Sequence, residues 1–336
     1  MISKMFKLFV LIMVFTVLSS GCSQPNSKQS NEGSEFSTAP LTITLAHGTG
    51  VGGTWHAVAE GLAEILRESY PGSRISVIPG SSDGNLARLQ KDEIELAIST
   101  TDSANTAING WESFDAAIPL DDVKAIACLY YSRVQFFVLS STGINSIEDI
   151  KAKEYPLKIS MGPRGSGMEL GARRVLGEYG ITYADIENWG GSVIFVGSSD
   201  SARMMGDGQL NAYFGLGAVP LSPFTELSLK RDFTVLPISD DVIEKMISTF
   251  DYSPGIIPNN AYKGLDKDIP TISVASGLYA ANNLDEETAY LVTRALLNNM
   301  DKLELIHSQL KNLTPQFMNQ NLIFPFHPGA QRAFQE

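Results

Sequence analysis

The sequence of 336 residues predicts an α/β fold with two lobes, joined by crossing strands and separated by a cleft. Short apolar runs alternate with amphipathic stretches from Leu41 onward, as in a parallel sheet covered by helices. A long β-rich run at 123–140 then interrupts this alternation, and a second α/β unit follows it. With 43% hydrophobic residues, the chain has enough apolar surface for two cores.

The first α/β unit is predicted from apolar runs and from apolar residues at helical spacing. Its elements are strands at 41–46, 74–79 and 94–99 and helices at 54–69 and 85–90. The run at 123–140 is longer than one ordinary strand, so we predict two strands and a crossover there.

The second unit repeats this architecture and then leads back to the first. Its elements are strands at 157–162, 192–197 and 210–215, a helix at 168–179 and a helix from Ser201. Strands at 233–238 and 271–281 lead back to the first unit. A long helix follows at 285–311, with Asn283 as its N-cap. The predicted lobes are therefore 41–133 with 233–336, and 134–232.

The first residues have the layout of a bacterial lipoprotein signal. Lys4 and Lys7 precede an apolar run at 8–18, which is too short to span a bilayer. Ser19-Ser20-Gly21-Cys22 resembles a lipobox, with serine at the position where leucine is commonest. We predict a signal peptide at 1–21, an acylated Cys22 and a polar tether at 22–40; an uncleaved anchor is the alternative.

Charge and motifs exclude several function classes. Removing 1–21 leaves a net charge of −14, which argues against nucleic acid as a partner. The four histidines lack metal-ligand spacing, and neither HExxH nor CxxC occurs. We therefore expect no metal, no cofactor and no catalysis. Cys128 is predicted to be a buried, unreactive core residue.

A glycine-rich loop at 48–55 connects the first strand to the first helix. Glycines allow close backbone approach, and the free N–H groups of a helix N-terminus favour negative charge. The loop matches G-x-G-x-x-G, but it lacks the lysine of a P-loop. A small carboxylate or polar solute is the preferred ligand; a turn that only joins strand to helix is the alternative.

Three further loops, 79–85, 99–103 and 162–167, follow strands at equivalent positions, so helix N-termini can converge on one anion. Arg164 could clamp a carboxylate, or it could be an ordinary surface arginine. An amino group would need an acceptor, for which Asp83, Asp102 and Glu169 are candidates. The predicted ligand-binding residues are Thr49, Gly53, Thr54, Trp55, Ser82, Asn85, Ser99, Thr100, Tyr131, Arg164, Gly165, Ser166 and Phe214.

Several segments resemble one family over nearly all of 41–330. They are GTGVGGTWHAVAEGLAEIL, DEIELAIST, ISMGPRGSGMELGARRVLGEYGITYADI, DGQLNAYFGLGAVP, YSPGIIPNNAYKG and FPFHPGA. They resemble the TAXI family, the solute receptors of tripartite ATP-independent periplasmic (TRAP) transporters. The resemblance implies a type II periplasmic-binding-protein fold and delivery of glutamate, glutamine or related carboxylates to a permease driven by an ion gradient.

The same resemblance implies ligand-facing loops at 52–55, 99–100 and 165–167. Trp55 and His56 stand where the family often has two tyrosines, and Arg164 stands where a small residue or proline is common. We expect a monomeric receptor, lipid-anchored at the outer face of the cytoplasmic membrane or periplasmic. The alternative is a ligand-sensing lipoprotein that presents its bound form to a membrane receptor kinase.

Overall fold

One curled sheet runs through the part of the chain that the computed structural model describes, residues 39–48, 53–112, 120, 122–311, 313–320 and 322–336. The strands are β1 (Thr42–Ala46), β2 (Arg74–Ile78), β3 (Leu96–Thr100), β4 (Lys124–Leu139), β5 (Lys158–Ser160), β6 (Ser192–Ile194), β7 (Ala212–Gly217), β8 (Phe233–Leu236), β9 (Ser253–Ile257) and β10 (Ile269–Ala280). The predicted signal peptide, Cys22, the tether up to residue 38 and Thr49 lie outside the described residues.

The strand order is β2-β1-β3-β10-β4-β7-β5-β6, with β8 paired to β4 and β9 paired to β10. Strands β1, β2 and β3 are parallel to one another, as are β5, β6 and β7. These are the two predicted α/β units. The long strands β4 and β10 lie antiparallel between the two units and connect them.

The prediction of two strands and a crossover at 123–140 was wrong, because β4 is a single strand of 16 residues. The run contains neither glycine nor proline, so nothing in it ends the strand. Its first half pairs with β10, and its second half pairs with β7 and β8. One strand therefore spans both lobes.

The helices follow the predicted alternation. The α-helices are α1 (Thr54–Ser69), α2 (Ser82–Gln90), α3 (Thr101–Asn109), α4 (Ile147–Ala152), α5 (Gly167–Glu178), α6 (Tyr183–Asn188), α7 (Ser198–Gly206), α8 (Ser222–Leu227), α9 (Asp240–Phe250), α10 (Glu286–Asn298), α11 (Met300–Ile306), α12 (Pro315–Met318) and α13 (Pro328–Gln335). Single 3₁₀ turns lie at Ser140–Thr142 and Ser308–Leu310.

The predicted long helix at 285–311 is broken into α10, α11 and a 3₁₀ turn. Asn299 leaves helical geometry at φ −124° and ψ 37°, and its side-chain amide donates to the carbonyl of Ala295. Such a side chain competes with the backbone for helical hydrogen bonds. The N-cap is Asp285, whose carboxylate accepts from the N–H of Thr288, and not Asn283.

Four clusters of buried apolar side chains form the core, two against each α/β unit. Val242 and Met246 of α9 belong to the same cluster as Ile159 of β5 and Val175 of α5. Helix α9 therefore packs against the second unit, and the predicted lobe limits stay a prediction. Cys128 is fully buried as predicted, and its burial raises the pKa of the thiol to about 12.

Across these described ranges, no helix combines the length and the apolar character that crossing a membrane requires.

Candidate functional site

A cavity of about 560 Å³ lies where helices of both α/β units begin. Its wall from the first unit includes the start of α1 and the start of α2. Its wall from the second unit includes the starts of α5 and α7 and the turn before α8. The cavity is therefore a cleft between the two lobes, at the carboxyl ends of their strands.

The N-termini of four helices of nine or more residues contribute to this wall, together with the start of the six-residue helix α8. The N-cap residues are Gly53 of α1, Ser81 of α2, Ser166 of α5 and Gly197 of α7. The two serines accept side-chain cap hydrogen bonds, whereas the two glycines have no side chain to do so. The first-turn N–H groups of α1 and α7 therefore remain able to donate to an anion.

The cavity wall, as far as the described residues form it, contains no lysine or arginine. Its ionisable side chains are those of His56, Tyr130, Asp200 and His307. Apart from the imidazoles, the described wall offers the helix dipoles as its source of positive potential. No group of three or more His, Cys, Asp or Glu side chains among the described residues could hold a metal ion.

His307 reaches the cleft from the segment after α11. Its Nδ1 accepts a hydrogen bond from the backbone N–H of Gln309 at 3.2 Å, and its Nε2 lies 3.5 Å from Oγ1 of Thr54. Burial lowers the pKa of this imidazole. A neutral ring that accepts at Nδ1 carries its proton on Nε2, so His307 offers a neutral N–H donor at the wall.

One part of the cavity wall is formed by two aromatic side chains, and serine hydroxyl groups lie behind them. Trp55 and Tyr130 both line the cavity, and Nε1 of Trp55 donates to Oγ of Ser276 at 3.4 Å. Ser276 in turn shares a hydrogen bond of 3.0 Å with Ser132. Because Ser276 is on β10 and Ser132 is on β4, the crossing strands hold Trp55 in place.

The structure brings five of the predicted ligand-binding residues together in this wall: Gly53, Thr54, Trp55, Ser82 and Ser166. They belong to three of the four loops that the sequence singles out. Each precedes or begins a helix, which is the local reason that its backbone N–H groups face the cleft.

Three predicted residues lie behind the wall. The side-chain amide of Asn85 is fully buried and donates to the carbonyls of His47 and Ile98, at 3.0 and 2.8 Å. Ser99 donates to the carbonyl of Ser82 at 3.0 Å, and Thr100 donates to Ser103 at 3.3 Å. These side chains fix the positions of the loops.

Four further predicted residues do not line the cavity either. Arg164 is exposed and lies over the ring of Phe195, 3.9 Å from its centroid, and Gly165 is exposed beside it. The other two have aromatic partners: Tyr131 packs against Phe317, and fully buried Phe214 packs against Phe136.

The candidate amino-group acceptors lie outside the cavity wall. Asp102 is fully buried, where it accepts from the hydroxyl of Tyr252. Glu169 is paired with Arg173 on the same helix and also accepts from Tyr183. Asp83, in the first turn of α2, does not line the cavity. The carboxylate in the wall is that of Asp200, at the start of α7.

Sequence reasoning missed three parts of the site. They are the start of α7 at 197–200, the segment 216–223, and His307. The first could have been found, because Gly197-Ser198-Ser199-Asp200 follows a predicted strand just as the other loops do. His307 could not, since only the break of the long helix brings it to the cleft.

Comparison with known proteins places this architecture in a family. The sequence profile of the NMT1-like family matches residues 47–336. The chain belongs to the NMT1-like family. The match starts at the glycine-rich loop and includes both lobes of this NMT1-like chain.

Several solved structures share this fold, and one of them is described as a periplasmic binding protein. MatC from Rhodopseudomonas palustris with bound malate has a TM-score of 0.57 and 14% identity, over 88% of this chain and 96% of that one. The periplasmic binding protein BugD has a TM-score of 0.54 and 12% identity, over 88% and 93%. PhnD1 from Prochlorococcus marinus, in complex with methylphosphonate, has a TM-score of 0.50 and 12% identity, over 84% and 89%. The NMT1-like chain thus has the two-lobed, type II periplasmic-binding-protein fold.

Proposed function

We propose that this NMT1-like protein is an extracytoplasmic solute receptor that captures a small carboxylate or amino acid such as glutamate. The observation that carries the proposal is the convergence of four helix N-termini on a cleft whose described wall has no basic side chain. A cleft built in this way binds a small anion through backbone N–H groups. Its volume falls within the range of about 300–1,000 Å³ that is usual for small-molecule sites.

The polar groups of the wall favour a carboxylate with a second polar end. The N-termini of α1 and α7 and the N–H of His307 supply donors for carboxylate oxygens. Asp200 supplies an acceptor, which an α-amino group needs. The face of Trp55 can pack against the aliphatic part of the solute. Together they suit an amino acid with an acidic side chain.

The delivery route is proposed from the resemblance to TAXI receptors. The bound receptor docks on a TRAP permease, which an ion gradient drives, and no reaction is catalysed. Cys22 carries the lipid anchor, and the polar tether lets the receptor reach the permease at the outer face of the cytoplasmic membrane. The malate bound to MatC accords with a carboxylate as the solute.

The first test is a thermal-shift screen of residues 38–336, a unit that is compact by itself, followed by calorimetry. The screen contains L-glutamate, L-glutamine, malate and acetate; the controls are the fully amidated forms of these acids, which carry no carboxylate, and the corresponding amines. We expect a carboxylate to raise the melting temperature and its neutral amide to do so much less. Stabilisation by cationic amines, or equal stabilisation by amide and carboxylate, contradicts the proposed anion site.

The second test separates transport from sensing. Vesicles that hold a TRAP permease from the same source should accumulate the selected carboxylate only when the receptor and an ion gradient are both present. Uptake that requires ATP contradicts the ion-gradient route. No uptake despite tight binding contradicts the transport role and favours a sensor.

A further inference from the structure

A buried polar cluster joins α3 of the first lobe to α5 of the second. The guanidinium of Arg174 donates through Nη2 to Oγ1 of Thr106 at 2.6 Å and to Oε2 of Glu112 at 2.9 Å. Its Nη1 lies 3.5 Å from Oδ2 of Asp102, and the hydroxyl of Tyr252 donates to that same oxygen at 3.0 Å. The side chain of Arg174 is 3% exposed and that of Asp102 is 0% exposed, so the pair lies away from water.

The cluster lies beside the cleft. Helix α5 begins with Gly167, which lines the cavity, and α3 begins directly after Thr100. A Cβ atom placed on Gly167 would lie 2.8 Å from Oγ of Ser82 and 3.5 Å from Oγ1 of Thr100. The two lobes therefore touch along this wall, and Arg174 lies on the same helix about two turns further from the cavity.

A second contact between the lobes is of a different kind. At another part of the cleft, Nε2 of Gln309 donates to the carbonyl of Val219 at 3.0 Å, between neutral groups. Charge is thus distributed unequally around the cavity. On the side of Arg174 the first lobe supplies two carboxylates and the second lobe supplies the cation.

In the closed arrangement, α5 of the second lobe lies against α3 of the first; in the open arrangement the two helices are apart. The unequal distribution of charge makes the closed arrangement depend on Arg174. If the guanidinium is removed while the lobes are together, Asp102 is left buried without its counter-ion, which is strongly unfavourable. If the lobes separate, water can hydrate that carboxylate. Loss of Arg174 therefore raises the free energy of the closed arrangement more than that of the open one.

We propose that Arg174 is an interlobe latch, which holds α5 against α3 and keeps the lobes together before a solute arrives. Arg174 is a positioning residue, because it acts through the N-terminal turn of α5 and does not line the cavity. The proposal depends on the two-lobed fold and not on the identity of the solute, so it can fail while the receptor function stands.

The test measures the distance between the lobes without any ligand. Spin labels are placed on the full chain at Lys91→Cys and Glu148→Cys, both exposed, with Cys22→Ser so that only these sites react. Cys128 is buried and stays unlabelled. Pulsed electron paramagnetic resonance then gives the distance distribution for the parent and for Arg174→Met. We expect the variant to show a broader distribution whose mean is longer by more than about 2 Å.

Arg173→Met is the matched control. Arg173 is the neighbouring residue on the same helix, but its ion pair is with Glu169 of that helix, and its side chain is 48% exposed. The control should keep the parent distribution. An unchanged distribution in folded Arg174→Met, or equal lengthening in Arg173→Met, overturns the latch.

If Arg174→Met does not fold, the same distance measurement on Glu112→Gln tests the proposal. This variant removes one carboxylate partner at the cluster's edge, where the side chain is 27% exposed, and leaves Asp102 paired. We expect lengthening in the same direction but smaller than for Arg174→Met. A folded Glu112→Gln protein with the parent distribution also overturns the proposal.

Discussion

Gly167 of the second lobe lies against Ser82 of the first, so closely that a Cβ atom on Gly167 would approach the Ser82 hydroxyl oxygen to 2.8 Å. Both residues line the cleft. The contact therefore sets how near the starts of α2 and α5 can come. Replacing the glycine with alanine must either rotate the hydroxyl or move the two helices apart.

Gly167→Ala should weaken binding of the carboxylate selected by the screen, because the donors of α2 and α5 then lie further apart. Calorimetry measures the effect, and we expect a loss of about tenfold, which corresponds to about 1.4 kcal/mol. Gly177→Ala, on the same helix with nothing within 4 Å of the added carbon, should keep the affinity and raise the melting temperature slightly. The double variant Gly167→Ala/Ser82→Ala should recover affinity relative to Gly167→Ala alone; no recovery would contradict the steric explanation.

Arg164→Ala should leave the affinity within about twofold of the parent. The guanidinium stacks on Phe195 and stays outside the cavity wall, so it is not placed to clamp a ligand. Thr54→Val, which removes a hydroxyl from the wall while keeping the shape, should lower the affinity more. If calorimetry instead gives a loss above tenfold for Arg164→Ala, the arginine is the carboxylate clamp and the helix N-termini are secondary.

Ligand binding should change the fluorescence of Trp55, since this indole lines the cleft and its N–H is held by Ser276. The chain has two other tryptophans, Trp111 and Trp189, which do not line the cavity. Trp55→Phe should therefore abolish the change, whereas Trp189→Phe should keep it. A signal of the same size in Trp55→Phe would contradict contact between the solute and Trp55.

The free energy of unfolding should fall as the pH drops below about 6.5. Burial lowers the pKa values of His47, His307 and His327 below the model-peptide value of 6.5. Below that value the unfolded chain binds protons that the folded chain resists, so stability is complete above about 6.5 and declines toward the folded pKa values. Urea unfolding at pH 7.5, 6.5 and 5.5 measures this decline.

His327→Gln should flatten that dependence. Nδ1 of His327 accepts from the backbone N–H of Gly329 at 3.2 Å, and Nε2 lies 2.8 Å from the carbonyl of Leu284. A second ring proton would point at the Gly329 N–H, which is why the neutral form is preferred. A curve for His327→Gln as steep as that of the parent would exclude this histidine as a cause.

Cys22→Ala should release the full-length protein from the membrane fraction. We propose Cys22 as the acylation site because its surroundings resemble a lipobox, and acyl chains would supply most of the affinity for a bilayer. Fractionation and detergent phase partition measure the distribution, with Cys128→Ala as the matched control. Unchanged membrane association of Cys22→Ala would favour the uncleaved apolar anchor.

The local pattern of apolar and polar residues in the sequence predicted the fold better than it predicted the residues of the cleft. Alternating apolar runs gave the two α/β units, because strand and helix periodicity are local properties of a sequence. The single long strand β4 was missed, since only pairing with β10 on one half and with β7 on the other shows that the run continues. Long-range pairing of this kind cannot be read from periodicity.

The candidate site was predicted where a loop precedes a helix and missed where distant segments meet. Trp55 and Ser166 were predicted from a local pattern in which a strand is followed by glycine or serine residues and then by a helix. Both residues line the cleft. Phe214 is an apolar residue near a strand end, but its side chain faces the core rather than the cleft. His307 reaches the wall only because α10 ends at Asn298 and the chain turns twice after it. Which face of a strand is buried, and where a helix breaks, depend on tertiary packing.

Binding of an anionic solute by helix N-termini can be tested by charge alone at Gly197. A Cβ atom at Gly197 has nothing within 4 Å, and the residue caps α7 in extended geometry, so Asp and Asn both fit there as N-caps. Calorimetry with the selected carboxylate compares Gly197→Asp with the nearly isosteric but neutral Gly197→Asn. We expect both variants to stay as stable as the parent. Gly197→Asp should bind the carboxylate at least about tenfold more weakly than Gly197→Asn, because the Asp carboxylate occupies the positive field that the solute needs. Equal affinities for the two variants would contradict an anion site at these helix N-termini.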